Sequence, residues 1–370
     1  MPHLVVALDK FKGSLTSREA GEALATGLRA TSAHPVQVLE VADGGDGLLT
    51  ALVAAGLPHE PAALLQAAGA SDPGGDVVWF EDAAILESAQ YVGLVRGGVR
   101  MVDPLGASSE PVGRAIRALL PRRPHRVIVG VGGTNCTDGG LGLLRGLGAE
   151  AFDAAGHPLP RGGGALAELD HLDLTGLPDE LVGDAPATHL VFATDVDVPL
   201  TGPHGAARMF APQKGATPGQ VELLERGLRR LAAVLGTDPA IPGSGAGGGM
   251  PAAALAVLGA SITSGADLVL RATGLPEALA DALVVITGEG AVDEQTAHGK
   301  GPGRVVQLAA AAGVPVVLVA GRVEPAGVTA LAPAVAAWYA LSDLAADEAE
   351  SMARAGDLLE EIGRRIGSIW

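Results

Sequence analysis

The sequence is short of cysteine, of aromatic side chains and of positive charge, and each shortage narrows what the chain can be. A single cysteine, Cys136, rules out an internal disulfide framework and fits a reducing compartment. Aromatic residues make up 3% of the chain. The cores must therefore rest on alanine, valine and leucine, and stacking platforms for single-stranded nucleic acid are not expected. Lysine and arginine together number 25 against 42 acidic residues, a formal net charge of −17. That balance argues against non-specific binding to nucleic acid or anionic membrane and suits a soluble metabolic protein. The apolar run in the opening MPHLVVALDK is too short for a signal peptide. The longest uncharged stretch, residues 239–266, has the length of a membrane span, but its glycines, prolines and serines leave too short an apolar segment. The expected location is the cytoplasm.

Apolar residues are plentiful, at 48% of 370. That is more than one ordinary core holds, so two domains are expected. Among the 25 cationic side chains only Lys10, Lys12, Lys214 and Lys300 are lysine. Arginine serves for routine surface charge here, so a retained lysine marks a place for a compact ammonium. Lys12, Lys214 and Lys300 are each followed directly by glycine. A lysine beside a flexible backbone is a suitable tool for phosphate or carboxylate, although chance pairings are common in a chain with 54 glycines.

Short apolar, β-branched runs read as buried strands, and several stop at polar glycine loops. Leu283–Thr287 ends at Gly288-Glu289-Gly290, with Asp293, His298 and Lys300 close behind. A helical run, Val305–Ala312, and a further strand, Val316–Ala320, follow. His3–Leu8 ends at Asp9 and the loop Lys10-Phe11-Lys12-Gly13-Ser14. Thr16 and Glu19 then have capping-box spacing, which predicts a helix to about Ala30. Val36–Val41 ends at Asp43-Gly44-Gly45-Asp46. Those aspartates suit either a metal or the cap of the next helix. Arg126–Val131 feeds Gly132-Gly133-Thr134-Asn135-Cys136-Thr137-Asp138-Gly139-Gly140, a loop able to wrap a small polar ligand. Cys136 reads as a buried thiol, since no base stands beside it. Leu190–Thr194 ends at Asp195, with Asp197 two residues on. The pair suits a metal or a general base, with one member solvated. Lys214 lies just before a helix announced by Thr217-Pro218-Gly219-Gln220. From Val328 onward the chain reads as largely helical.

Strands alternating with helices predict an α/β fold with mostly parallel sheets. Ligands in such folds bind beyond the carboxyl ends of the strands. The loop after Thr287 is not a P-loop, because Gly299-Lys300 is followed by Gly301 and Glu294 holds the place of the first glycine. A G-x-G-x-x-G match at Gly243, Gly245 and Gly248 tempts a dinucleotide reading. No strand runs into it, however, and Asp267 precedes rather than ends an apolar run.

Taken together the loops resemble the bacterial glycerate kinase family of the glucarate and glyoxylate pathways. The resemblance rests on Asp9 to Ser14, Ala42 to Gly47, Gly132 to Asn135 with Asp138-Gly139-Gly140, and Thr194-Asp195-Val196 with Pro199-Leu200. Gln213 to Ala216 and Thr287 to Gly290 with Asp293, Gln295-Thr296 and Gly299-Lys300 complete it, in one order along nearly the whole chain. The chain departs from the family pattern at Ala291, Val198 and Cys136.

The resemblance implies ATP-dependent, Mg²⁺-assisted phosphorylation of D-glycerate to 2-phosphoglycerate. A 3-phosphate product and, more remotely, an NAD-linked dehydrogenase are the alternatives. It also implies two α/β domains with the active site in the cleft between them. One is discontinuous, residues 1–75 with 270–370, and the other is inserted, residues 76–269. On this reading Lys12, Asp195 and Lys300 are catalytic. Gly132, Gly133, Thr134, Asn135, Gly288, Glu289, Gly290 and Lys214 bind the nucleotide, and Asp43 and Asp293 hold metal. The expected partners are small molecules only, with a homodimer left open.

Overall fold

The computed structural model describes residues 1–41, 47–61, 75–293, 296, 301–331 and 334–370. The chain divides into two compact units. One comprises Met1–Asp43, Thr50–Gly56 and Ala266–Trp370; the other comprises Gly44–Leu49 and Leu57–Gly265. Each carries a largely parallel sheet, so the chain is a mixed α/β protein.

In the first unit the sheet is five-stranded, in the order Val335–Ala340, Val316–Ala320, Ala282–Gly288, His3–Leu8, Val36–Val38. Every pairing in it is parallel. The central strands read as unbroken apolar runs because both faces are covered. Leu4, Val6 and Leu8 pack with Leu24, Leu28, Leu358, Ile362 and Ile366 of the helices Ser17–Thr31 and Ala355–Gly367. Val5 and Ala7 point the other way, to Val305, Val306 and Ala309 of the helix Gly301–Ala311. The capping box at Thr16 and Glu19 is formed as its spacing predicted.

Ser17–Thr31 and Ala355–Gly367 meet at glycines: a Cβ on Gly27 would lie 1.9 Å from the Glu360 carbonyl oxygen, which is backbone and has nowhere to go. Gly27→Ala should therefore destabilise this unit by about 1–3 kcal/mol, the usual cost of overpacking. A shift of the urea midpoint at unchanged slope would register it; an unshifted midpoint would show that the helices can part without cost.

The segment after Val328 is largely helical as expected, but it holds one strand that its sequence conceals. Val335–Ala340 is a strand, parallel to Val316–Ala320 and at the edge of the sheet. Its three alanines disguised it, while its β-branched and aromatic residues, Val335, Trp338 and Tyr339, are those a pleated edge accepts.

The second unit has a six-stranded sheet, in the order Ser261–Thr263, His189–Ala193, Arg126–Gly130, Ala83–Glu87, Val77–Phe80, His59–Glu60. The first four strands are parallel and the last two antiparallel. Val127, Val129 and Phe192 pack with Ile116, Leu119, Leu143 and Leu147 of the helices Glu110–Leu119 and Leu141–Leu147. The helix Pro218–Leu235 starts at the predicted Thr217 capping box and packs into a second apolar cluster through Leu224, Leu228 and Leu231. Among the described residues no helix is long and apolar enough to cross a membrane.

Candidate active site

In the first unit, two neighbouring parallel strands deliver the polar loops. Leu8 is in register with Gly288, and the N–H of Asp9 donates to the Gly288 carbonyl at 2.8 Å. Asp9 and Glu289 therefore leave the sheet side by side. The chain then turns sharply. Phe11 and Leu15 exchange backbone hydrogen bonds of 2.9 and 3.0 Å, and the buried Phe11 ring anchors the turn. Gly13, at φ +87°, supplies the left-handed residue such a turn needs. Lys12 stands exposed between them, and among the described residues its ammonium has no partner.

Gly290 approaches this loop closely. A Cβ there would lie 3.3 Å from the Lys12 backbone nitrogen. Thr296, almost fully buried, ties the acidic residues together. Its hydroxyl donates to Glu289 Oε1 at 2.9 Å and accepts from the Asp293 N–H at 3.2 Å. Its own N–H donates to Asp293 Oδ1 at 3.2 Å. The structure thus gathers Asp9, Lys12, Gly288, Glu289, Gly290 and Asp293 at one edge of one sheet. Asp43 and Lys300 lie outside the described residues. No group of three or more metal-ligating His, Cys, Asp or Glu side chains occurs among the described residues.

In the second unit, Gly130 is in register with Ala193, so the Gly132–Gly140 loop and the Asp195 loop also leave adjacent strands. Asp195 Oδ1 accepts a hydrogen bond of 2.7 Å from the hydroxyl of Ser264, which follows the next parallel strand. Asp197 is exposed to solvent, as the repulsion between paired carboxylates required. Ser264 is absent from the sequence reading. The one available signal was a hydroxyl directly after a short strand and before a glycine.

The Gly132–Gly140 loop is held from several sides. Leu94 donates its N–H to the Gly133 carbonyl at 2.7 Å, and the Asn135 N–H donates to Val92 at 2.8 Å. Gly93 and Thr134 form a β-bridge between these bonds. Further along, Asp138 turns inward and is 2% exposed. It accepts from the Ser109 N–H at 2.7 Å, the Ser109 hydroxyl at 2.9 Å and the Gly140 N–H at 3.3 Å. Burial pushes its carboxyl above the usual range, against the pull of those donors. Asp138 therefore pins the loop to the start of the helix Glu110–Leu119 and supplies no charge to solvent.

The sequence offers Lys214 as a cation for a ligand, and the structure corrects this. It is 3% exposed, and its ammonium donates to the Cys136 carbonyl beneath the loop. Burial lowers its pKa from the usual lysine value, opposed by attraction to Asp138. Lys214 thus meets the loop through its backbone.

The glycines of the dinucleotide-like match are used in packing. A Cβ on Gly248 would lie 2.0 Å from the Cys136 carbonyl oxygen, and the Gly139 N–H donates to Gly248 at 3.1 Å. Gly247, Gly248 and Gly249 all have positive φ. Cys136 itself is fully buried, and its thiol pKa is pushed up to about 12 by burial. A disulfide reagent at pH 8 should leave native Cys136 unlabelled and titrate one thiol after denaturation. Labelling of the folded protein would contradict this burial.

The model of the Glycerate kinase family matches residues 4–370. The glycerate 2-kinase of Escherichia coli K12 is 36% identical over 331 residues, covering 86% of this chain and 84% of its own length. The glycerate kinase of Halalkalibacterium halodurans is 33% identical over 382 residues, covering 100% and 98%. The crystal structure of a Salmonella typhimurium LT2 protein provisionally named glycerate kinase 2 superposes with a TM-score of 0.76 at 32% identity, covering 100% of this chain and 98% of that one.

Proposed function

The chain belongs to the Glycerate kinase family, and from that membership we propose that it transfers the terminal phosphoryl group of ATP to D-glycerate and yields 2-phosphoglycerate. It is an enzyme, a kinase with an alcohol acceptor. The observation that carries the reading is the extent of the match: residues 4–370 include every polar strand-end loop described above. The position of the new phosphate follows the relative named glycerate 2-kinase.

Phosphoryl transfer asks the protein for positioning and for cancellation of charge, with little covalent chemistry. The C2 hydroxyl oxygen of glycerate bonds to the γ-phosphorus as the bond to the β–γ bridging oxygen breaks, and ADP leaves. Asp195 takes the hydroxyl proton, with its carboxylate oriented by Ser264. The free ammonium of Lys12 cancels phosphate charge; Lys300 is assigned the same task from its sequence alone. Backbone N–H groups of Gly132 to Thr134 and of Gly288 to Gly290 are assigned to the nucleotide, Asn135 contributing through its side chain because its own N–H is given to Val92, and Lys214 holds the former loop in shape from below.

Mg²⁺ is held by few protein ligands in kinases and keeps phosphate oxygens and waters. A site with one or two carboxylates fits the described residues, which contain no three-ligand cluster. Asp293 and, from its sequence alone, Asp43 are the proposed ligands, with Glu289 joined to Asp293 through Thr296. When bound, the metal neutralises charge on the phosphates. The proposed location is the cytoplasm.

The test is an assay with D-glycerate and Mg-ATP, followed by phosphorus NMR of the product without proton decoupling. The expected result is release of ADP, abolished by a chelator, and a product resonance split into a doublet by the single C2 hydrogen. A triplet would place the phosphate on C3 and overturn the regiochemistry. Absence of ADP release would overturn the kinase reading.

A further inference from the structure

Outside the residues used so far, one surface combines features that seldom occur together. The chain from Val95 to Val102 forms a small hairpin of the two-residue strands Val95–Arg96 and Val99–Arg100. Val95, Val99, Met101 and Val102 are 61%, 63%, 39% and 56% exposed. Exposed apolar residues scattered singly need no explanation, but a cluster within eight residues does. The base of this hairpin is the Val92-Gly93-Leu94 segment bound to Gly133, Thr134 and Asn135. It is thus continuous with the glycine loop assigned to the nucleotide.

The two faces of the hairpin differ. Val95 stands opposite Arg100 and Arg96 opposite Val99, and residues directly opposite share a face. On the first face Arg100 is committed, since its guanidinium donates to the Gln213 carbonyl. On the second face Arg96 has no hydrogen-bond or ion-pair partner among the described residues. Most arginines of this acidic chain are paired with carboxylates, as Arg122 is with Glu60 and Arg208 with Glu222. An unspent guanidinium beside an exposed valine, two residues beyond a backbone bond to Gly133, matches an anion carrying an apolar ring.

We propose that the Arg96–Val99 face of this hairpin is part of the nucleotide site, with the Arg96 guanidinium binding phosphate oxygens and Val99 contacting the base. The proposal rests on the kinase reading above and deepens it. Arginine offers a planar fork that matches phosphate oxygens in pairs. Nucleotide bases are flat, with π faces that pack on apolar side chains, and ligand sites combine apolar lining with a few placed polar groups.

Calorimetric titration with MgADP and with inorganic tripolyphosphate, alongside steady-state kinetics, tests it. Arg96→Ala should weaken both ligands by about tenfold or more, the usual worth of a charge-assisted hydrogen bond. The KM for D-glycerate and the melting temperature should be unchanged. Arg96→Lys should recover only part of the loss. Val99→Ser should weaken MgADP but not tripolyphosphate, and Val95→Ser, on the opposite face, should change neither. Unaltered MgADP affinity in Arg96→Ala would overturn the proposal, as would a rise confined to the glycerate KM. So would a change of sedimentation mass in Val99→Ser, which would make the face a contact between copies. If the parent protein fails to turn over D-glycerate, the kinase reading falls, while the MgADP titrations still decide the hairpin.

Discussion

Lys12→Ala is expected to lower kcat by roughly two to three orders of magnitude, the cost of removing one preorganised charge-stabilising group. The fold should survive. Lys12 is exposed, its ammonium touches nothing in the described structure, and the turn that carries it is built from the Phe11–Leu15 backbone bonds and Gly13. Lys12→Arg keeps the charge but replaces a compact ammonium with a broad fork, so it should restore activity only in part. Lys10→Ala removes an equal charge two residues away and serves as the comparison, with turnover expected within severalfold of the parent. Near-normal turnover in Lys12→Ala would remove this side chain from the chemistry. An equal fall in Lys10→Ala would show that only the net charge of the loop matters.

The parts of the fold that sequence made visible are those where one physical cause acts alone. His3–Leu8 and Val316–Ala320 are bounded to the residue by their sequence, because burial on both faces leaves an apolar run with abrupt polar ends. The helices beginning after Thr16 and Thr217 were placed by their capping boxes, which depend only on neighbours three residues apart. Val335–Ala340 was missed because its pairing partner is a strand already written in the chain, and its own alanines have no preference for an extended form.

The site was legible as a set of loops and illegible as a set of directions. Scarcity of lysine singled out Lys12 and Lys214 alike, yet Lys12 points to solvent while the Lys214 ammonium is spent on a carbonyl 78 residues away in the chain. Nothing local distinguishes those outcomes, since the partner of Lys214 is backbone and leaves no residue type to notice. Asp138 is similar. It stands in a loop able to wrap a polar ligand, but Ser109, 29 residues earlier, turns its carboxylate inward. The glycines at Gly243 to Gly249 mimicked a cofactor motif for the same reason that they pack well, namely that both uses demand a bare backbone at close range.

Asp195→Asn should reduce kcat by about 10²–10⁴-fold, the range for loss of a general base. This substitution isolates the proton acceptor from the geometry. The asparagine amide oxygen can still accept the Ser264 hydroxyl, which donates to Asp195 Oδ1 at 2.7 Å, so the loop keeps its anchor. The KM for D-glycerate should then change much less than kcat, because an amide still hydrogen-bonds the substrate hydroxyl without taking its proton. Asp197→Asn provides the contrast. That carboxylate is exposed, lies two residues further along the same loop and carries the same charge. If turnover collapsed in Asp197→Asn and persisted in Asp195→Asn, the base would be the wrong member of the pair. If both variants lost activity equally, the loop would act through its total charge on the phosphoryl group, and proton abstraction would have to be sought elsewhere.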